Sequence, residues 1–441
     1  MMRPVAVQRL AIPFGIVLFA AIAVSSATPA ATPQPPALTL KTAGEMALRN
    51  HPAVQAATFT ARAAEQVTRE LRSSYYPMAT ADFTAAGGLP NGNSRIDAGA
   101  MTASRVLNRY ANGVAVDQLI TDFGRTSNIV ASSRLRAQAA TQDTQQTQQD
   151  VLLAVNQAYF GVLRAQALLK VAQQTVQARQ VLTDQVTALE KNRLRSMVDV
   201  AFAQVDLAKA KLLLVQAQND EKAAYAELAN ALGLGAPEAY QLVQEPLPGP
   251  PAADATVLVA QALQDRPDLA SARFTHESAL RFARAERDLW MPTISAVGSA
   301  GYVPAYQVPL VDHYEAAGIN VSVPLFNGFL FSARHQEANL RARAADQNTR
   351  DLADRISRDV RVAWSNSVTA YQNLDVTAQL LKQANLALDL AQGRYKLGLS
   401  SIVELSQAQL NLTEAEIANT NAQYDYQTQQ AVLNFQMGQL H

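Results

Sequence analysis

The chain has no cysteine among its 441 residues. This absence excludes disulfide bonds, thiolate metal sites and cysteine nucleophiles. It also excludes the lipidated N-terminal cysteine by which some bacterial envelope proteins are anchored. The fold must therefore be held by noncovalent contacts.

Charge of either sign is scarce and evenly balanced. The sequence has 37 basic and 37 acidic residues, a net charge of zero, and only 17% of its residues are charged. Because no basic excess indicates nucleic-acid binding, we expect no nucleic-acid partner. The charged fraction is low for a soluble protein with long helices.

Motifs for catalysis or metal binding are missing as well. The five histidines are scattered, without an HExxH motif or a close pair at ligand spacing: His51, His276, His313, His335 and His441. The segment Gly298-Ser299-Ala300-Gly301 does not fit a GxSxG nucleophile elbow. We therefore predict a protein that is not an enzyme and has no catalytic residue, metal site or cofactor.

Long hydrophobic runs are confined to the N-terminus. Arg3 and Arg9 precede an apolar stretch over residues 10–24, and small residues follow up to Ala27. This order is typical of a secretory signal peptide, which we assign to residues 1–27, followed by a proline-rich linker at 28–37. Since no other run approaches the roughly 20 residues of a spanning helix, a mature chain in a membrane would have to cross it as a closed β-barrel.

The sequence contains two copies of one unit. Pro52 and Pro267 are 215 positions apart, whereas Gly233 and Gly438, farther along, are 205 positions apart. A duplicated unit of about 200 residues indicates two similar structural repeats. We divide the mature chain into three parts: a first repeat at 38–235, a proline-rich linker at 236–252 and a second repeat at 253–441.

Each repeat contains two segments with the alternating pattern of β-strands. In the second repeat, Ile319 and Val321 alternate with Asn320 and Ser322. The four predicted strands lie at about 78–88, 111–120, 293–303 and 315–324. Each has roughly the length of a tilted strand that spans a bilayer. Four strands cannot close a barrel, so a membrane protein would need several chains, and a soluble four-stranded sheet is the alternative.

Two very long helical runs, at about 125–191 and 331–394, contain no proline. Apolar residues at coiled-coil spacing predict that each run doubles back against a second helix. The predicted seam of the first return helix is Val198, Phe202, Val205, Ala208, Leu212 and Val215. The predicted seam of the second is Ile402, Leu405, Ala408, Leu412 and Ala415. Many remaining helix positions are glutamine or asparagine, which suits a wall around a water-filled lumen, and a solvated coiled-coil stalk is the alternative.

The signal peptide, the duplication, the strand pairs and the long hairpins together resemble the outer-membrane efflux protein family. The resemblance covers about residues 38–437. Its most specific local match is the segment 393–405, in which the aromatic Tyr395 precedes the turn residue Gly398 and the acid Glu404 follows. The prolines before the first strand of each repeat fit the same family.

The resemblance implies a mainly α-helical protein with a transmembrane β part. Three copies would form a 12-stranded β-barrel continuous with an α-helical tunnel across the periplasm. Such a homotrimer, embedded in outer-membrane lipid, is the exit duct of a tripartite efflux pump or a type I secretion system. An inner-membrane transporter supplies the energy, a periplasmic adaptor docks on the tunnel tip, and the duct conducts passively. A secreted or periplasmic coiled-coil scaffold without a pore is the alternative.

The resemblance also identifies the turns of the two long hairpins as the site of adaptor contact. The candidate contact residues are Arg193, Arg195, Ser196 and Val198 in the first turn and Gly398, Leu399, Ser400 and Ile402 in the second. Because Arg193 stands where the second turn has Gly398, we expect the first turn to be looser or differently shaped.

Three residues near these turns are candidates for a periplasmic gate. Glu404 matches a position at which the family often places an acid that narrows the closed entrance, and three copies would concentrate negative charge and favour cations. Gln407 lies one turn further on, and Asp199 is the counterpart of Glu404 in the first repeat. The alternative is that the acids only complement the positive N-terminal ends of their helices.

Overall fold

The computed structural model describes residues 36–86, 95–98, 101–105, 109–236, 240–302 and 312–440. The predicted signal peptide at 1–27 and nearly all of the linker at 28–37 lie outside the described residues. Across the described ranges, no helix is both long and apolar enough to cross a membrane.

The first repeat consists of a short strand, two helices, a strand pair and a long helical hairpin. Its elements are β1 (Ala37–Leu38), α1 (Leu40–Asn50), α2 (Pro52–Arg72), β2 (Met78–Ala86), β3 (Arg95–Ala98), β4 (Met101–Arg105), β5 (Arg109–Thr121), α3 (Arg125–Lys191) and α4 (Met197–Ala231). The second repeat follows the same order, except that its described residues contain no counterpart of β3 and β4. Its elements are β6 (Gln241–Leu242), α5 (Ala255–Asp265), α6 (Pro267–Arg287), β7 (Thr293–Tyr302), β8 (His313–Ser322), α7 (Leu330–Lys396) and α8 (Ile402–Gln436).

The two hairpins match in length. Helices α3 and α7 each have 67 residues, and α4 and α8 each have 35. At roughly 1.5 Å per residue, the longer helices extend for about 100 Å. The predicted fold class, in which each repeat has a strand pair and a long antiparallel helical hairpin, is confirmed. The division of the chain at 236–252 stays a prediction.

Two residues in left-handed conformation lead the chain from the sheet into each long helix. Phe123 and Gly124 have φ values of 55° and 112° before α3, and Gly328 and Phe329 have values of 60° and 65° before α7. Residues other than glycine rarely adopt this region because their Cβ is crowded. The same two-residue corner therefore recurs in both repeats.

The return helices end on glycines that pack against the proline bends. A Cβ added at Gly233, which has a φ of 72°, would lie 2.8 Å from the His51 Cα. Gly438, with a φ of 76°, packs in the same way against Asp265 and Arg266. Each contact lies directly before the proline that begins α2 or α6. This packing explains why glycine and proline recur together in the duplicated sequence.

The four longer strands form one antiparallel sheet in the order β2-β5-β7-β8. Thr80, Ala115, Ser299 and Ala316 lie side by side across it. Because side chains alternate between the faces of a sheet, the register separates a polar face from an apolar one. The polar face includes Thr80, Asp82, Asp117, Ser295, Ser299 and Asn320, and the apolar face includes Ala81, Val114, Val116, Ala296, Ile319 and Val321.

The long hairpins form a layer in the order α4-α3-α8-α7. Helix α3 packs against α4 and α8, and α7 packs against α8. A core that includes Leu182, Val186, Val200, Ile402 and Leu405 joins the two hairpins near their turns. Helices α4 and α7 are therefore the two edges of the layer.

The predicted seam of α4 is wrong. Val198, Val205 and Leu212 are each more than half exposed, and the other predicted seam residues are exposed as well. The helix buries a different stripe of generally smaller residues: Val200, Ala203, Leu207, Ala210 and Ala217. Both stripes have heptad spacing, so the pattern alone does not indicate which one faces α3. The α8 seam is buried at Ile402, Leu405, Ala408 and Ala415.

Equivalent aromatic residues hold the extended segment that leads into each repeat. The buried Tyr159 hydroxyl lies 2.9 Å from the Leu38 carbonyl oxygen and 2.6 Å from that of Val243. Its counterpart Trp364 donates its indole N–H to the Ala252 carbonyl at 2.8 Å. Burial raises the pKa of the Tyr159 phenol to about 12.

Candidate functional site

The turns of the two long hairpins have the same backbone conformation. Arg193 has a φ of 59° and Gly398 a φ of 74°. In each turn, two consecutive N–H groups, those of Arg193 and Leu194 or of Gly398 and Leu399, donate back to the end of the long helix. The expectation of a differently shaped first turn is therefore wrong. Arg193 takes the left-handed conformation itself, at a cost of about 1–2 kcal/mol for a residue with a Cβ.

The return helices begin with serine caps that use the two candidate acids differently. The Ser196 hydroxyl accepts the Asp199 N–H and the Asp199 carboxylate accepts the Ser196 N–H, both at 3.3 Å, which forms a capping box. The Ser401 hydroxyl accepts the Glu404 N–H at 3.4 Å, and the Glu404 carboxylate does not complete a box. Asp199 is thus part of a helix cap, whereas the Glu404 carboxylate is directed elsewhere.

The Glu404 carboxylate lies beside an arginine of its own hairpin. Its Oε1 is 3.5 Å from Nη1 of Arg394, and the Glu404 side chain is 42% exposed. An ion pair this exposed contributes less than about 1 kcal/mol. Gln407, one turn further along α8, is exposed and donates its amide to Asn411 at 2.8 Å. In its first two turns, α8 therefore presents the Glu404 carboxylate and the Gln407 amide, and Arg394 partly balances the carboxylate.

Arg195 links the two turns to each other. Its Nη2 donates to the Tyr395 carbonyl oxygen at 3.0 Å, and its guanidinium carbon lies 4.3 Å from the centre of the Tyr395 ring. A cation–π contact of this kind contributes about 0.5–2 kcal/mol. Burial raises the pKa of the Tyr395 phenol, and Arg195 opposes that shift. Tyr395 belongs to this site although it is not among the sequence-based candidates.

The other candidate contact residues divide into exposed and buried ones. The exposed ones are Arg193, Ser196, Val198, Gly398 and Leu399. Ile402 lies in the core beneath the turns. The Ser400 hydroxyl is buried and has no hydrogen-bond partner among the described residues. The outer surface of the turns is therefore a mixture of apolar, hydroxyl and cationic groups.

A buried arginine joins the hairpins above the turns. Arg179 of α3 is 5% exposed and donates a hydrogen bond to the Gln409 side chain of α8. Burial lowers the pKa of the Arg179 guanidinium, and Asp206 of α4 opposes that shift. Arg179 is not among the residues that the sequence predicts for the site. The available signal was its position seven residues before the buried Val186, on the heptad seam of α3.

The helix layer has a groove on each face. A groove of about 400 Å³ lies between α3 and α7 and is lined largely by glutamines: Gln174, Gln177, Gln185, Gln392 and Gln409. A groove of about 380 Å³ lies between α4 and α8, with Arg179 on its floor and Asp206, Gln407 and Glu414 along its walls. The candidate gate residue Gln407 thus lies on the face that α4 and α8 form.

The arrangement offers polar and charged surfaces rather than a reaction centre. Among the side chains that the structure describes, no group of three or more carboxylates, imidazoles or thiols could hold a metal ion. The polar groups follow the faces of long helices instead of converging on one point. This distribution suits contact with water and with other helices.

Both repeats match one protein family. The sequence matches the family described as outer membrane efflux protein over residues 43–234 and 258–439. The outer membrane protein TolC of Salmonella enteritidis is 25% identical over 353 residues, which cover 76% of this chain and 72% of that protein. The solvent efflux pump outer membrane protein SrpC of Pseudomonas putida is 26% identical over 353 residues, which cover 76% and 70%.

Solved structures share the fold. A crystal structure of CusC has a TM-score of 0.79 at 19% identity and covers 90% of this chain and 92% of that chain. The outer-membrane channel OprN has a TM-score of 0.79 at 20% identity and covers 90% and 89%. Because the family match extends over both repeats, the chain belongs to the outer membrane efflux protein family and is an efflux channel of the outer membrane.

Proposed function

We propose that three copies of this chain form the passive exit duct of a tripartite efflux pump or type I secretion system. Substrates would enter from an inner-membrane transporter through a periplasmic adaptor. The observation that carries the proposal is that, among the described residues, the sheet and the helix layer both end in edges that lack a second partner. β2 and α4, from the first repeat, form one side of the chain, and β8 and α7, from the second, form the other.

The helix edges carry apolar stripes that a single chain leaves uncovered. On α4 the stripe is Val198, Val205 and Leu212, and on α7 it includes Val376, Leu380 and Leu390, all of them at least half exposed. Both stripes follow coiled-coil spacing. Since α4 and α7 lie at opposite edges, they can pack together only between two copies. A head-to-tail contact of this kind forms a ring when its rotation closes after a whole number of copies.

The sheet edges support the same arrangement. β2 and β8 are the outer strands of the sheet, and neither has a second partner among the described residues. An unpaired edge is not viable in lipid. Pairing of β2 with β8 of the next copy closes a barrel with the apolar face outward and the polar face toward the lumen. Three copies, the number that the family resemblance implies, give 12 strands.

The hairpin turns would form the periplasmic entrance. Three copies of Glu404 around one axis favour cations, and Arg394 weakens that preference because it lies beside each carboxylate. Asp199 is held in a capping box and contributes less. Adaptor contact would fall on the exposed part of the turns, including Ser196 and Leu399, with Ile402 and Arg195 supporting that surface from beneath.

Assembly is tested by charging the α4 stripe. The pair Val205→Asp and Leu212→Asp places carboxylates in the proposed contact and should abolish the trimer band in unheated detergent samples. The matched control, Gln204→Asp with Gln218→Asp, changes exposed residues elsewhere on α4 and should keep the band. A trimer that survives in the first variant would contradict the proposed contact.

Conduction is tested in planar bilayers with the purified full chain. Discrete unitary steps are expected, with reduced cation preference in Glu404→Gln and increased preference in Arg394→Gln. If neither substitution changes the reversal potential, the proposed role of Glu404 is wrong. A soluble elongated particle that never inserts would support the coiled-coil scaffold instead.

A further inference from the structure

An arginine pair recurs one helical turn below the first strand of each repeat. Arg69 and Arg72 end α2, and Arg284 and Arg287 end α6, at the same offset of 215 positions that relates Pro52 to Pro267. All four side chains are exposed. Three copies of the chain would carry twelve such arginines at one height.

The acids near these arginines are mostly engaged. Glu286 is buried and pairs with Arg334 at 2.7 Å. Asp288 is buried too, and it accepts hydrogen bonds from Arg287 at 2.8 Å and from the Asn128 amide at 3.0 Å. Glu70, between the two arginines of α2, is exposed. Glu286 is neutralised from outside the cluster, and Asp288 and Glu70 offset two of the four arginine charges, so the cluster keeps a net positive charge.

Large apolar side chains lie between the arginines and the strands. Tyr76 and Trp290 precede β2 and β7, and Phe326 and Phe329 follow β8, with Trp290 46% exposed and the others more so. Tyrosine and tryptophan are typical of the boundary between the apolar and polar regions of a bilayer. They therefore mark the end of the sheet that adjoins the arginines.

Arg69 and Arg284, one arginine of each pair, point away from the groove face of the helix layer. Arg69 is two residues from Val67 and Leu71, and Arg284 is two residues from Phe282, so each arginine is about 200° from a residue that lines a groove floored by Arg136 of α3. A comparable groove lies farther along α3, between α4 and α8, with Arg179 on its floor.

We propose that this collar, defined by Arg69, Arg72, Arg284 and Arg287 with the neighbouring aromatic side chains, binds the phosphate groups of anionic phospholipids in the periplasmic leaflet. The proposal rests on the trimeric duct, in which the α4–α8 face is the lumen and the opposite face meets the membrane boundary. Guanidinium groups bind phosphate oxygens in pairs of parallel hydrogen bonds. The aromatic rings fix the depth at which those groups meet the headgroups.

The test titrates the purified trimer with phosphatidylglycerol or phosphatidylcholine and counts bound lipids by native mass spectrometry. The test variant is Arg69→Gln, Arg72→Gln and Arg284→Gln. Arg287 is left unchanged because it holds the buried Asp288. The matched control removes three exposed arginines of α7: Arg341→Gln, Arg350→Gln and Arg355→Gln.

The wild type and the control should retain phosphatidylglycerol in preference to phosphatidylcholine. The test variant should lose that preference by about tenfold or more, since each surface arginine contributes about a factor of five. Equal binding of the two lipids by the wild type, or an unchanged preference in the test variant, would overturn the proposal. A changed reversal potential with unchanged lipid binding would place the arginines in the lumen and also overturn it. If the lipid result fails while the trimer and its conductance are normal, only the lipid site is disproved and the proposed duct still stands.

Discussion

Gly398 and Gly233 provide a matched test of what glycine does in this fold. The two residues have almost the same φ, 74° and 72°. A Cβ added at Gly398 meets nothing within 4 Å, whereas one added at Gly233 lies 2.8 Å from the His51 Cα. Replacement by alanine therefore costs backbone strain alone at the first position, and strain together with a backbone collision at the second.

Gly398→Ala should leave the protein folded and loosen only the second turn. The left-handed conformation costs about 1–2 kcal/mol for an alanine, which raises local opening about 5- to 30-fold. Hydrogen exchange of the Gly398 and Leu399 N–H groups, which close the turn, should accelerate by that factor. The first turn serves as an internal control because Arg193 already occupies the same conformation.

Gly233→Ala should instead reduce the stability of the core that α1, α3 and the end of α4 share, which includes Ala47, Tyr159 and Leu232. The added Cβ meets backbone at the α1–α2 bend, which cannot rotate aside as a side chain would. Overpacking of this kind adds about 1–3 kcal/mol to the strain, so the detergent-solubilised protein should melt at a lower temperature than Gly398→Ala. Equal melting temperatures of the two variants would refute the backbone collision at position 233. Unchanged hydrogen exchange in Gly398→Ala would refute the backbone strain at position 398.

Three further outcomes follow from individual contacts. Because the Tyr159 pKa is raised to about 12 from about 10 in an unfolded chain, stability that is present below pH 10 should decline between pH 10 and 12. In Tyr159→Phe the melting temperature should be lower but fall less over that interval. Gln409→Leu removes the hydrogen bond to the buried Arg179 and should lower the free energy of unfolding by about 1.5–3 kcal/mol. Adding Arg179→Met to the same chain should restore part of that loss. Arg195→Ala should accelerate hydrogen exchange in both turns, and Arg195→Lys, without a planar group to stack on Tyr395, should give an intermediate rate.

The parts of the fold that could be predicted are those that local sequence determines. The absence of proline indicates the long helices, and alternation indicates the strands, because both reflect the periodicity of one element. The shape of the first turn could not be predicted, since Arg193 adopts a conformation that its residue type disfavours. The links from Arg179 to Gln409 and from Arg195 to Tyr395 cross between hairpins more than 190 positions apart in sequence, so no local pattern indicates them.

The two apolar stripes of α4 differ in side-chain size, and this difference matches two kinds of helix contact. The stripe that packs within the chain is rich in alanine, with Ala203 and Ala210 among its members, and small residues let helices approach closely. The exposed stripe has Val205 and Leu212 at the same heptad spacing. Association between chains must offset the loss of translational and rotational freedom, which folding within one chain does not incur in the same way. Larger apolar side chains are therefore expected on the stripe that another copy covers. A helix with two heptad stripes of unequal size is expected where neighbouring copies pack side by side in a closed ring.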